Sequence, residues 1–118
     1  MVVSKYIVRD KSFSFALRIV KLYKYLVEQH KEYVLSKQVL RSGTAIGALV
    51  REVEQGESKA DFIHKLAIAL KEAKETEYWL ALLFHSDYIE EKSYVSITTD
   101  VEELIKLLTS IIKTSKHS

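Results

Sequence analysis

The sequence contains no cysteine and no proline, and only three glycines among its 118 residues. The lack of cysteine excludes disulfides, thiolate nucleophiles and cysteine zinc sites, and we expect a cytoplasmic location. The lack of proline leaves long helices free to form. No run of about eighteen apolar residues is free of charge, so we predict no membrane span. Lys5, Arg9, Asp10 and Lys11 interrupt the short apolar start of the sequence, so we predict no secretory signal.

The sequence also lacks a large excess of one charge sign, since it has 18 basic and 16 acidic residues and a net charge of +2. The distribution is uneven. Residues 5–32 hold seven basic and three acidic groups, a net charge of +4, whereas residues 58–92 carry −2. Such a basic run is more often a solvated face, but it can also present a surface to a polyanion.

Apolar residues recur at helical spacing in four segments, and the first has more of them than one neighbouring helix would bury. Its polar strip is narrow, so two flanks of this helix have to be covered. The apolar residues of this segment are Phe13, Phe15, Leu17, Ile19, Val20, Leu22, Leu26 and Val27.

The second helix follows a short link near residues 31–36. We predict that Gly56 ends it in a left-handed conformation. Ser58 then caps the third helix, with Asp61 close to the positive end of the helix dipole.

The third helix is predicted over residues 60–85, with a heptad seam that contains one charged member, Glu77. A buried acid needs a partner, and Arg41 on the second helix is the candidate for an ion pair that fixes helix register. Trp79 is assigned to packing or to an interface. The predicted seam consists of Ile63, Leu66, Leu70, Ala73, Glu77, Leu80 and Phe84.

The fourth helix is predicted to start near Glu90. The alternative is a late start at Thr99, which has Glu102 at capping-box distance. Four long amphipathic helices joined by short links predict an all-α, antiparallel up-down-up-down four-helix bundle, formed by a single domain over residues 1–118.

Two glycines, Gly43 and Gly47, lie four residues apart inside the second helix, where each costs roughly 1 kcal/mol relative to alanine. Residues at this spacing share one helix face, so the pair forms a notch that lets another backbone approach. The approaching helix belongs either to the same chain or to another subunit. The spacing does not match a phosphate-binding loop.

Catalytic and metal chemistry finds little support in the sequence. A di-iron bundle requires two Glu-x-x-His motifs, and the nearest match is a single Asp61-x-x-His64. No nucleophile has the setting of a base and an orienting group. We therefore expect no enzyme activity, no metal and no cofactor, and an enzyme that uses Asp61 and His64 is the third-ranked hypothesis.

The strings "RSGTAIGA", "ESKADFIHKLAIALKEAKETEYWLALL" and "LLTSIIKTSK" resemble the bacterial family of 23S ribosomal RNA intervening-sequence proteins, over roughly residues 13–116. A related branch is the accessory variability determinant of diversity-generating retroelements. The resemblance implies a four-helix bundle without catalysis, a homopentamer, and RNA or a nucleoprotein such as a reverse transcriptase as partner. Leu49 departs from the family, whose members usually have Asn there, so apolar packing is expected at that position.

Two functional hypotheses follow. The first is an oligomeric RNA-binding or scaffold protein without base-specific readout. The second is a protein-interaction module with no nucleic-acid ligand, which the apolar and aromatic excess suggests. The predicted phosphate contacts are Lys11, Arg18, Lys21, Lys24 and Arg51. The predicted helix or subunit contacts are Gly43, Gly47, Arg41, Glu77 and Trp79.

Overall fold

Four long helices make up the chain in the computed structural model, which describes residues 2–53 and 58–117. They are α1 (Val2–His30), α2 (Leu35–Glu52), α3 (Lys59–His85) and α4 (Glu91–Lys116). Each helix packs against the next, and α4 packs back against α1. This arrangement, 46 × 22 × 19 Å in extent, confirms the predicted all-α four-helix bundle. Over the ranges given, no helix has the length and hydrophobicity needed to cross a bilayer.

The link between α1 and α2 is built without glycine. Lys31 adopts a left-handed conformation with φ of 53°, and the N–H of Glu32 donates to the carbonyl of Leu26 at 3.1 Å. A left-handed residue followed by a backbone hydrogen bond back into the last turn is a common way to end a helix. The Glu32 carboxylate then caps α2, because it accepts hydrogen bonds from the backbone N–H groups of Val34, Leu35 and Ser36.

The ends of α3 follow the same logic. Ser58 caps the helix as predicted, since its hydroxyl accepts the N–H of Asp61 at 3.2 Å. At the other end Asp87 is left-handed, with φ of 66°, and the N–H of Tyr88 donates to Leu83 at 2.9 Å. The predicted stop at Gly56 lies outside the described residues.

The fourth helix begins at Glu91, after Glu90, which confirms the early start and excludes the later one at Thr99. The β-branched residues before Thr99 stay helical because the register of Tyr94 and Ile97 continues into the core. Tyr94 stacks on Phe84 of α3 with ring centroids 4.4 Å apart, and Ile97 is buried.

The buried seam of α3 differs from the predicted one. Glu77 is half-buried on a flank, and the central polar position of the seam is Thr76, whose hydroxyl lies 2.9 Å from that of Ser42 on α2. Small and hydroxylated side chains let the helices approach, a role that a search for large apolar residues overlooks. The buried residues of α3 are Leu66, Ala69, Ala73, Thr76, Leu80 and Leu83.

Candidate oligomer and nucleic-acid interface

Two of the predicted phosphate contacts on α1 are engaged with α4. The Lys11 ammonium lies 3.0 Å from a Glu103 carboxylate oxygen. The Arg18 guanidinium lies 2.6 Å from Asp100 and also donates to the Ser96 hydroxyl at 3.0 Å. Because these cations already face acids, a phosphate has to compete with the carboxylates to reach them. Part of the basic run at residues 5–32 thus forms ion pairs between α1 and α4.

The other three predicted contacts do not form one cluster. Lys24 is exposed on α1, and Lys21 lines a shallow cleft beside Tyr25 and Glu90. Arg51 belongs to α2, and its guanidinium lies 5.2 Å from the ring centroid of Phe13, in cation–π geometry. The five cations are therefore divided between the α4 side of α1, the exposed side of α1 and the C-terminal end of α2.

The outward face of α1 exposes an apolar stripe. Tyr6, Phe13 and Leu17 are 52%, 50% and 53% exposed, and their spacing of seven and four residues places them on one side of the helix. Tyr6 was not singled out from the sequence, although it extends the same spacing backwards by two turns. We name this set the α1 stripe.

A shallow cleft borders the α1 stripe where α1 meets α2. Phe13 forms one wall, and the small residues of α2 leave the floor open. Its lining residues are Phe13, Ala16, Thr44, Gly47, Ala48 and Arg51. An open apolar cleft beside exposed aromatic and aliphatic side chains is typical of a protein contact.

The glycine notch faces α1 within the same chain. A Cβ atom on Gly43 would lie 2.7 Å from Cγ1 of the buried Ile19, and one on Gly47 would lie 3.3 Å from the backbone oxygen of Ser12. Because neither glycine has a Cβ atom, α1 packs closely on α2 at both positions. Of the two interpretations of the notch, the contact within the chain accounts for Gly43, whereas Gly47 also lines the cleft.

The predicted ion pair between Arg41 and Glu77 is wrong. Arg41 instead contacts Glu75 and lies 3.2 Å from Glu72. Trp79 belongs to the same network, because its indole N–H donates to Glu75 at 3.1 Å. This hydrogen bond and the Arg41 charge hold the pKa of Glu75 below its ordinary value, against the effect of partial burial.

Glu77 points towards α4. Burial raises the pKa of its carboxyl, and the negative charge of Glu102 raises it further, while Lys74 opposes the shift. The physical reason for the wrong assignment is helix rotation. Residues 75 and 77 differ by about 200° around a helix, so a partner on α2 reaches one of them and not the other.

Asp61 and His64, the residues of the third hypothesis, lie in the first two turns of α3 and are exposed. Over residues 2–53 and 58–117, no three side chains of the His, Asp and Glu types come close enough together to hold a metal ion.

Comparison with known proteins agrees with this architecture. Residues 4–110 match the model of the family described as 23S rRNA-intervening sequence protein. The chain is similar to the crystal structure of a protein of unknown function from the S23 ribosomal protein family of Bacteroides thetaiotaomicron VPI-5482. The TM-score is 0.92 and the identity 61%, over 93% of this chain and 98% of that one. None of the curated proteins matches. The chain therefore belongs to the family of 23S rRNA-intervening sequence proteins.

Proposed function

We propose that the protein is a non-catalytic cytoplasmic scaffold that assembles into a homo-oligomer, a ring of five, and binds RNA or an RNA-bound protein such as a reverse transcriptase. The α1 stripe carries this proposal. Three large side chains about half exposed on one helix, beside an open cleft, leave apolar surface in water that association would bury.

A ring is favoured over a two-fold dimer by the position of the apolar surface. In a ring each subunit uses two different patches, one for each neighbour. The α1 stripe is one patch, and the exposed Tyr78 on α3, whose ring packs edge-on against Trp79 with centroids 5.2 Å apart, belongs to a different side of the bundle. The helix and subunit contacts predicted around Arg41 and Trp79 lie on that second side.

RNA as the ligand is supported by the description of the family, which refers to an intervening sequence of 23S ribosomal RNA. Lys21, Lys24 and Arg51 supply cations on the outer flanks of α1 and α2. Assembly would multiply these cations around a ring, and several weak phosphate contacts then act together. Readout of base sequence is not part of the proposal.

The test of RNA binding is a titration of the wild-type protein against a fluorescein-labelled, structured fragment of 23S ribosomal RNA. We expect binding at low micromolar protein and low salt, and an affinity that falls steeply as salt rises, because each neutralised phosphate releases counterions. Absence of binding at low salt would refute the RNA part of the proposal.

The second candidate function, a protein-interaction module without a nucleic-acid ligand, rests on the same exposed apolar surface. Affinity purification from the native cell, with and without nuclease, separates the two. Partners that depend on RNA disappear after nuclease treatment, whereas direct protein partners stay bound.

A further inference from the structure

The C-terminal half of α4 carries cations with no acidic residue among them. From Leu104 to the end of the sequence there are three lysines, one histidine and no Asp or Glu. Lys106, Lys113, Lys116 and His117 are all exposed. We propose that this surface, the α4 strip, is where the protein contacts the phosphate backbone of RNA. The inference rests on the proposed RNA binding and assigns it to a location other than the basic run of α1.

The cations of the α4 strip differ from those of α1 in their surroundings. Lys11 and Arg18 lie against carboxylates of α4 at 3.0 and 2.6 Å. Lys106, Lys113 and Lys116 form no ion pair or hydrogen bond with any residue in the described ranges. A phosphate reaches these lysines without displacing a carboxylate, so the counterions released at each contact contribute fully to the binding affinity.

Two of the acids at the same end of the bundle are paired with cations outside the strip. Asp10 lies 3.3 Å from Arg9, and Glu52 lies 3.8 Å from Lys65, so each faces a cation of its own. Lys5 adds a positive charge nearby, because it lines a small cavity at this end together with Ile111 of α4. Asp61, in the first turn of α3, also lies at this end, and Glu102 precedes Lys106 by one helical turn and opposes its charge. The local field is therefore most positive at the C-terminal end of the strip, around Lys113 and Lys116.

The spacing of the strip suits a nucleic-acid strand. Positions 106, 113 and 117 share one face of the helix, and Lys106 to Lys116 span about 15 Å along its axis. Each strand of a DNA duplex carries one phosphate per roughly 3.4 Å of axis, and at a comparable spacing an RNA strand would place about four phosphates along this length. Ser110 is exposed between the lysines and provides a hydroxyl donor of the kind that binds phosphate oxygens.

Helix stability explains only part of this charge. Lys113 and Lys116 lie in the last turn of α4, where a cation favours the negative end of the helix dipole. The dipole effect fades beyond one turn, and Lys106 lies ten residues before Lys116. Lys106 instead follows Glu102 by four residues, a spacing at which an acid and a base stabilise a helix only slightly.

The experiment compares three variants for binding to a fluorescein-labelled single-stranded RNA of 20 nucleotides. The first is the triple variant Lys106→Gln, Lys113→Gln, Lys116→Gln. The matched control, Lys37→Gln, Lys71→Gln, Lys92→Gln, removes the same charge from exposed lysines elsewhere. The third, Lys21→Gln, Lys24→Gln, Arg51→Gln, tests the α1 and α2 cations. Circular dichroism confirms that each variant is folded.

For the α4 triple variant we expect affinity at 0.1 M salt to fall by about 100-fold, and the slope of log affinity against log salt to decrease by about 2, since three single-strand phosphate contacts are lost. The matched control should bind like the wild type. Equal losses in the α4 variant and the control would mean that only net charge matters, and would overturn the inference.

The remaining outcomes separate this inference from the proposed function. Wild-type binding that survives in the α4 variant and is lost in the third variant would refute the strip and retain RNA binding. A wild type that binds neither this single strand nor the structured 23S ribosomal RNA fragment would refute both. Wild type and the α4 variant are also sedimented with phosphatidylserine vesicles. If the α4 variant no longer sediments with them while its RNA affinity is unchanged, the strip binds a membrane surface and the inference is refuted.

Discussion

Replacement of Gly43 by alanine tests how closely α1 packs on α2. In a free helix this change stabilises by roughly 1 kcal/mol. Here the new Cβ would lie 2.7 and 2.9 Å from Cγ1 and Cγ2 of Ile19, which is fully buried. Both atoms are attached directly to the Cβ of Ile19, so they move only if the helix shifts or if χ1 leaves the rotamer that a β-branched residue prefers in a helix. Overpacking of this kind costs about 1–3 kcal/mol, and the propensity gain offsets part of this cost.

We therefore expect Gly43→Ala to lower the free energy of unfolding by about 1–2 kcal/mol, measured by urea titration at fixed protein concentration. Gly47→Ala is the matched control, because its nearest contact is 3.3 Å and a shift of a few tenths of an ångström relieves it. It should be close to neutral, since the gain in helix propensity offsets the tighter contact.

A double-mutant cycle identifies the cause. Ile19→Ala removes the atoms that Gly43→Ala would meet, at a cost of about 2–5 kcal/mol for the cavity. In that background Gly43→Ala should stabilise, because only the propensity gain remains. If Gly43→Ala is stabilising in the wild-type background as well, the reasoning about close packing is refuted.

Two further predictions concern acidic residues. Burial alone would raise the pKa of Glu32, but hydrogen bonds from the backbone N–H groups of Leu35, Ser36 and Val34 lower it below the ordinary value. Glu32→Ala should therefore lower the free energy of unfolding by about 1 kcal/mol at pH 7, as the loss of a helix cap does. The difference in thermal stability from the wild type should shrink as pH falls through the lowered pKa. A pH-independent difference would contradict this assignment. Burial and Glu102 raise the pKa of Glu77, so its charge opposes folding at neutral pH. Glu77→Gln should melt at or above the wild-type temperature at pH 7, with the difference fading towards pH 4, and a clear loss of stability at pH 7 would contradict the geometry.

Helical periodicity predicted much of the fold. The apolar spacing of Tyr94 and Ile97 was enough to place the start of α4 near Glu90, and Ser58 identified the start of α3. These signals are local, because a cap or an amphipathic face is defined by residues within a few turns of each other. The excess apolar arc of the first helix also anticipated surface that one neighbour does not cover.

The stops at Lys31 and Asp87 were not predictable from residue type. Left-handed backbone favours glycine, yet both stops are made by residues with a Cβ atom. The backbone hydrogen bonds that follow each left-handed residue, from Glu32 to Leu26 and from Tyr88 to Leu83, outweigh the local preference. The Glu32 cap was missed for a related reason, since glutamate is not among the common N-cap residues.

Contacts between helices were the least predictable feature. The partner of Arg41 depends on the rotation of α3 about its axis, and a change of one or two positions exchanges Glu75 for Glu77. Similarly, the pairing of Lys11 and Arg18 with Glu103 and Asp100 depends on the register between α1 and α4. Lys11 and Arg18 are seven residues apart on α1, and Ser96 and Glu103 are seven residues apart on α4. This matching spacing could have suggested the pairing of the two helices.

The most direct test of the proposed assembly is the solution mass of the wild-type protein by light scattering. The chain has a mass of 13.6 kDa, so a ring of five predicts about 68 kDa. Leu17→Glu, in the α1 stripe, should reduce the mass towards the monomer. The matched change Val95→Glu, at a similarly exposed residue of α4, should leave it unchanged. A wild-type mass near 13.6 kDa at micromolar concentration would contradict the account.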